Sequence, residues 1–216
     1  MENLRNLIVL PFLNTFAGDG EGTLRVDVTA EDGEHQIKYE GKVVGSLKID
    51  EGFRIDTIHL SELSKRVAPI LAAGKDLIEY QLKVLDWVAE AKDIAGDAGD
   101  WVGVYYKASY ILKEDTTDLV LGPYLGRSTD HIRIPIDKGF CGMALREEKT
   151  VNIEDVSKDD THIACSITTK SEIVIPLKDS NGNFVAELDI DSDKLASFNP
   201  KLEAELQEFA LTFPSL

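Results

Sequence analysis

Cysteine is scarce in this sequence, at two in 216 residues. Two thiols cannot build the disulfide framework of a small secreted domain, so a reducing compartment fits and a cytoplasmic location is expected. Nor can they hold a structural zinc alone. His131 and His162 would have to complete the four ligands, and no pair shows the short Cys-x2-4-Cys spacing, so no metal site is expected. Long apolar runs are missing as well. Leu7-Ile8-Val9-Leu10-Pro11-Phe12-Leu13 is the longest, far short of the ~20 residues that cross a bilayer. Glu2 offsets Arg5, Pro11 interrupts the run and no small-x-small cleavage pattern follows, which argues against a signal peptide. Basic charge is in deficit: 23 Lys and Arg stand against 39 Asp and Glu, a net charge of −16. Such a chain repels polyphosphate, which makes nucleic acids and anionic membranes poor partners and favours small cationic or zwitterionic ligands.

The rest of the composition is that of a globular protein, with 43% apolar and 7% aromatic residues in a chain long enough to bury a core. Residues 1–56 read as a β-rich section. Leu24, Val26 and Val28 alternate with charged partners, as do Ile37 and Tyr39; Val43, Val44, Leu47 and Ile49 follow, with turns at Asp32-Gly33 and Glu40-Gly41. This extension carries no visible chemistry. Residues 57–216 form the main domain. It begins with an amphipathic helical stripe over about 61–94, which Pro69 and Gly74 kink or split. From Trp101 the period becomes that of strands. Trp101 to Tyr106 is one, with Tyr110-Ile111-Leu112 as its continuation or partner; Asp118 to Leu121 is another, closed by Gly122-Pro123-Tyr124. A short helix is expected over 139–147, strands at 150–153, 172–177 and 184–192, a hairpin turn over 179–183, a loop over 156–164 and a closing helix over 200–210 with Pro200 in its first turn. The fold class is α+β: an antiparallel sheet with helices packed on it.

Both cysteines lie at junctions rather than inside apolar runs. Cys141 stands in Lys138-Gly139-Phe140-Cys141-Gly142-Met143-Ala144, and Cys165 in His162-Ile163-Ala164-Cys165-Ser166. A thiol at such a junction can be exposed and acidified by nearby dipoles, and two of them brought together supply a nucleophile and a resolving thiol. The segment 101–192 resembles the free methionine-(R)-sulfoxide reductases, which are built on the GAF domain. The stretches that carry the resemblance are Trp101 to Tyr106, Leu119 to Tyr124, Arg133-Ile134-Pro135-Ile136, Lys138 to Gly142, His162 to Cys165, Ser171 to Leu177 and Leu188-Asp189-Ile190-Asp191-Ser192.

The resemblance implies a GAF-type fold and a mechanism needing no metal or organic cofactor. Cys165 would attack the sulfoxide sulfur and be left as a sulfenic acid, and Cys141 or an outside thiol, with thioredoxin as reductant, would resolve it. Protonation of the sulfoxide oxygen would fall to Glu172, Asp189 or Asp191, which in the family also hold the ammonium of the free amino acid. Strand alternation points Asp189 and Asp191 to one face, where their repulsion raises one pKa. Trp101 and Tyr105, also on one side of a strand, would cage the sulfur and its methyl group. Related reductases are homodimers, so a homodimer is implied too. This chain departs from the pattern where His131 stands in place of a third cysteine, in a loop one residue longer, and where Ser166 stands for an aspartate. The departures leave open a GAF sensor that binds a small molecule without turnover, and a redox switch through a Cys141–Cys165 disulfide. Structural readings stay open beside these: Cys141 as a small packing residue, the aspartates as a solvated strand end, the two aromatics as core.

Overall fold

The computed structural model describes residues 8–9, 24–27, 34–39, 42–50, 52, 54–61, 75–127, 129, 131–158 and 168–216. The chain divides into two compact units, Met1–Asp86 and Trp87–Leu216.

In the first unit, β1 (Ile8–Val9), β2 (Leu24–Asp27), β3 (Glu34–Tyr39), β4 (Lys42–Ile49) and β5 (Ile55–Leu60) pair in sequence order as an antiparallel meander. The β-rich section expected from the alternation therefore forms a sheet, and β5 carries it on to Leu60. Ile37 pairs with Gly45 and Lys38 with Val43, so Val44 is an extra residue in the ladder. That bulge resets the alternation, which is why Val44 and Leu47, three apart, are both buried while Val43 is 55% exposed. The Asp50 carboxylate accepts from the N–H groups of Gly52 and Arg54, both at 2.9 Å, and shapes the turn into β5. The expected turns at Asp32-Gly33 and Glu40-Gly41 lie outside the described residues, as do Pro69 and Gly74.

Helix α1 (Lys75–Ala95) carries the amphipathic stripe into the second unit and ends at Gly96, whose φ of +54° favours glycine. The second unit is a six-stranded antiparallel sheet in the order β8-β7-β6-β11-β10-β9. Its strands are β6 (Trp101–Lys107), β7 (Leu119–Leu125), β8 (Arg133–Ile134), β9 (Val151–Ile153), β10 (Ser171–Lys178) and β11 (Phe184–Ser192). The helices are α2 (Ala108–Ile111), α3 (Gly139–Glu147) and α4 (Pro200–Ala210). Asp179 accepts from Asn181 and Asn183 N–H groups in the β10–β11 hairpin, with Gly182 at φ +83°.

Register sorts the two faces of this sheet. Val102, Ile190 and Ile173 share one row, Val104, Leu188 and Ile175 the next, and all are buried. On this apolar side Trp87 stacks on Phe209 of α4 at 4.8 Å, and its Nε1 donates to Thr212 Oγ1 at 2.9 Å. Helix α3 packs against β10 and β11. It covers the opposite face, where its Cys141 meets Asp189.

Two expectations are corrected. Tyr110-Ile111-Leu112 is not strand: β6 stops at Lys107, and the Ala108 N–H donates to the Asp118 carbonyl at 2.8 Å as α2 turns the chain. Lys113, at φ +59°, closes the turn. Nor do Gly122 and Pro123 end β7, which runs on to Leu125. They sit at a shift in register against β6, where proline's missing N–H costs no ladder bond and Gly122 makes room for the Tyr106 ring. The expected loop after Val156 opens with a 3-10 turn, Val156–Lys158.

Candidate functional site

Beneath α3 the second face of the sheet is a floor of cross-strand rows. Ile153, Glu172, Asp191 and Trp101 form one row; Val151, Val174, Asp189, Gly103 and Tyr124 form the next; Pro176, Glu187 and Tyr105 follow. Alternation along β11 aims Glu187, Asp189 and Asp191 at this face together. Glu172, directly opposite Asp191, joins them from β10. All four carboxyl side chains belong to residues at most 3% exposed, and no lysine or arginine is buried among the described residues.

A carboxylate buried without a cation is costly, so protons are retained. Burial, and then the charge of Asp191, pushes the Glu172 carboxyl well above its ordinary range. Asp191 is raised by burial first and by Asp189 next. Burial pushes Glu187 up to about 8, with the charge of Glu172 acting the same way and the Cys141 thiol acting against it.

Helix α3 delivers Cys141 to this floor. Lys138 is extended and Gly139, at φ +60°, starts the helix. Gly142 lets the turn approach the preceding segment, for a Cβ there would lie 2.8 Å from the Ile136 carbonyl carbon. Cys141, 5% exposed, donates its S–H to Asp189 Oδ2 at 3.8 Å. Its sulfur and one oxygen each of Glu172 and Asp189 lie within 4.8 Å of one another, close enough to surround one small cation.

Trp101 forms the wall. Its ring stacks on Tyr124 at 5.3 Å and faces Tyr105 at 6.2 Å, and its Nε1 donates to the Arg127 carbonyl at 3.1 Å. A Cβ on Gly103 would stand 2.7 Å from Tyr124 Cβ and collide with the indole, so only glycine admits this ring. At the rim the Arg127 guanidinium pairs with Asp193 and donates to Thr168 Oγ1. The hydrogen bond from Arg127 to Asp193 holds the Asp193 carboxyl below its usual range. Tyr105 Oη donates to the His131 carbonyl oxygen at 2.9 Å.

The sequence profile of the GAF domain matches residues 88–213, more than half of the chain. The chain belongs to the GAF domain family. Its GAF domain is 46% identical over 99 residues to GAF domain-containing protein A of Dictyostelium discoideum, an overlap of 46% of this chain and 58% of that protein. It is 39% identical over 109 residues to the free methionine-R-sulfoxide reductase of Escherichia coli, covering 50% of this chain and 61% of that one. The chain thus spans about three-fifths of the length of these relatives. Among solved structures, the type II free methionine-R-sulfoxide reductase of Thermoplasma acidophilum superposes with a TM-score of 0.54 at 32% identity, over 61% of this chain and 86% of that one.

Of the residues singled out in the sequence, the GAF domain brings Trp101, Tyr105, Cys141, Glu172, Asp189 and Asp191 onto one face. Cys165 and His162 lie outside the described residues. The aspartates are not a solvated strand end, since both are buried. The sequence reading missed Glu187, although the alternation that pairs Asp189 with Asp191 reaches it one step earlier.

Proposed function

We propose that this chain reduces a free amino-acid sulfoxide, L-methionine-(R)-sulfoxide. The observation that carries the reading is the set of buried carboxyls with no buried lysine or arginine among the described residues, placed beside a thiol and an aromatic wall. An ammonium group supplies the missing positive charge, and Trp101 and Tyr105 receive the sulfur and its methyl group. The likeness to reductases in sequence and structure supports the same reading.

In this mechanism Cys165, assigned from the sequence, is the nucleophile. Its sulfur attacks the sulfoxide sulfur while Glu172, Asp189 or Asp191 protonates the oxygen. The oxygen then passes from the substrate sulfur to the Cys165 sulfur: a new S–O bond forms on Cys165, the substrate S–O bond and the transient S–S bond break, the thioether departs, and Cys165 is left as a sulfenic acid. A second thiol, Cys141 or one from outside, then forms a disulfide and releases that oxygen as water. Thioredoxin returns the disulfide to thiols. The reading carries with it a cytoplasmic homodimer, catalysis by section 57–216 and an extension, 1–56, without chemistry of its own.

A thioredoxin-coupled assay tests it. Free methionine-(R)-sulfoxide drives NADPH consumption, the S epimer does not, and Cys165→Ser abolishes turnover while sparing binding. His131 in place of the third cysteine favours a second reading, a GAF sensor, for which calorimetry would find binding without NADPH consumption.

A further inference from the structure

Glu172, Asp189 and Cys141 reach the floor from three different elements, β10, β11 and α3. The short cysteine spacing sought in the sequence marks a metal site built within one loop, and a site assembled from three elements leaves no such spacing. All three residues are at most 5% exposed. One donor atom of each lies within 4.8 Å of the other two, and the Cys141 sulfur stands 3.8 Å from Asp189 Oδ2. Across a tetrahedral zinc with ordinary Zn–S and Zn–O bonds, a sulfur and an oxygen are about 3.5 Å apart. This pair therefore stands close to the separation of two zinc ligands. A second observation points the same way. Asp191 is 3% exposed, stands directly opposite Glu172 in the ladder and faces the same side as Asp189. No donor among the described residues meets either of its carboxylate oxygens in full hydrogen-bond geometry. It is the fourth donor that tetrahedral coordination calls for.

We propose that Cys141, Glu172, Asp189 and Asp191 bind one Zn2+ ion, in the place that the ammonium group of an amino-acid ligand takes. Binding changes no oxidation state. The Zn–S and Zn–O bonds form, and the thiol proton and any carboxyl proton pass to solvent. The thiolate selects zinc over magnesium and calcium, which keep to oxygen ligands. Zn2+ and the amino acid exclude each other, since both need the same carboxylates, and the bound ion also withholds the Cys141 sulfur from chemistry. That exclusion rests on the reductase reading, but the ion site itself does not.

The test uses the full chain carrying Cys165→Ser, in which Cys141 is the one remaining thiol. Co2+ is the probe, because a cobalt–thiolate bond gives a sulfur-to-metal charge-transfer band that oxygen ligands do not. The band is expected to appear with stoichiometric Co2+, to vanish on adding stoichiometric Zn2+ and to survive an excess of Mg2+. Cys141→Ser removes the band and weakens Zn2+ binding in calorimetry by about a hundredfold, at least what outer partners of a metal site contribute. Glu172→Gln, Asp189→Asn and Asp191→Asn each weaken it by about tenfold or more. Should Cys141→Ser fail to fold, the cadmium NMR resonance of the Cys165→Ser protein reads the sulfur ligand with the site intact. Absence of the cobalt band, its loss to Mg2+, a Zn2+ affinity unchanged in Cys141→Ser, or a cadmium resonance typical of oxygen ligands alone overturns the proposal. Free methionine-(R)-sulfoxide is expected to displace Co2+, and calorimetric binding of the sulfoxide with the band retained overturns the exclusion. Failure of the reductase reading looks different: no NADPH consumption by the unsubstituted chain and no sulfoxide binding, with the cobalt band intact.

Discussion

Asp189 and Glu187 are one alternation apart on the same strand, and that step separates a carboxyl bonded to a thiol from one that no donor among the described residues meets in full hydrogen-bond geometry. The difference gives each its own signature. Asp189→Asn, which keeps shape and removes charge, is expected to weaken binding of an amino-acid ligand by about a hundredfold, as calorimetry would read, because an ion pair in a dry site becomes a neutral contact. Glu187→Gln is expected to spare binding. Gly103 is the other decisive position. Gly103→Ala drives a methyl into Trp101 and the Tyr124 backbone-proximal carbon, so it is expected to cost about 1 to 3 kcal/mol of stability in urea titration and to displace the indole. Of this site, the paired aspartates were legible because a period of two is a backbone property. Glu187 was not, because a single glutamate in an alternating strand looks like its solvent face; only the helix above it, Gly139–Glu147, makes that face an interior.

Elements with their own punctuation were read from the sequence to the residue. Asn199 accepts from the N–H groups of Lys201 and Leu202, and Pro200 occupies the first turn of α4, so the start of this helix is written locally. Asn199→Ala is expected to cost about 1 kcal/mol, measured by chemical denaturation. Helix α3 and the Asp179–Asn183 turn were legible for the same reason. Where punctuation misled, tertiary structure had overridden it. Gly122 and Pro123 look like a stop, yet β6 on one side holds the strand through an irregular register. Tyr110-Ile111-Leu112 is too short a run for period to separate helix from strand, and the bond from Ala108 to Asp118 decides it. Cross-strand order is a further property that no local pattern contains: β6 and β11, far apart in sequence, are neighbours at the centre of the sheet.

Across the whole molecule, the raised carboxyls make stability depend on pH in an unusual direction. Glu172, Glu187 and Asp191 all bind protons more tightly folded than unfolded. Their contribution is complete below the unfolded carboxyl range and is lost as pH rises through the folded values, about 8 for Glu187. The protein is therefore expected to unfold at lower urea concentration at pH 9 than at pH 5. Glu187→Gln should recover up to about 5 kcal/mol at the higher pH and only about 1 kcal/mol at the lower. An ammonium-bearing ligand competes with those protons, so its binding should release them, visible as a calorimetric heat that changes with the ionisation enthalpy of the buffer. The two tryptophans divide the labour of reporting on all this. Trp87 is locked between Phe209 and Phe213 on the apolar side, and Trp101 lies over Gly103 at the acid-lined floor. With Trp87→Phe, the emission of the remaining indole becomes a built-in optical gauge of occupancy, responsive to whatever enters beside it and needing no attached dye.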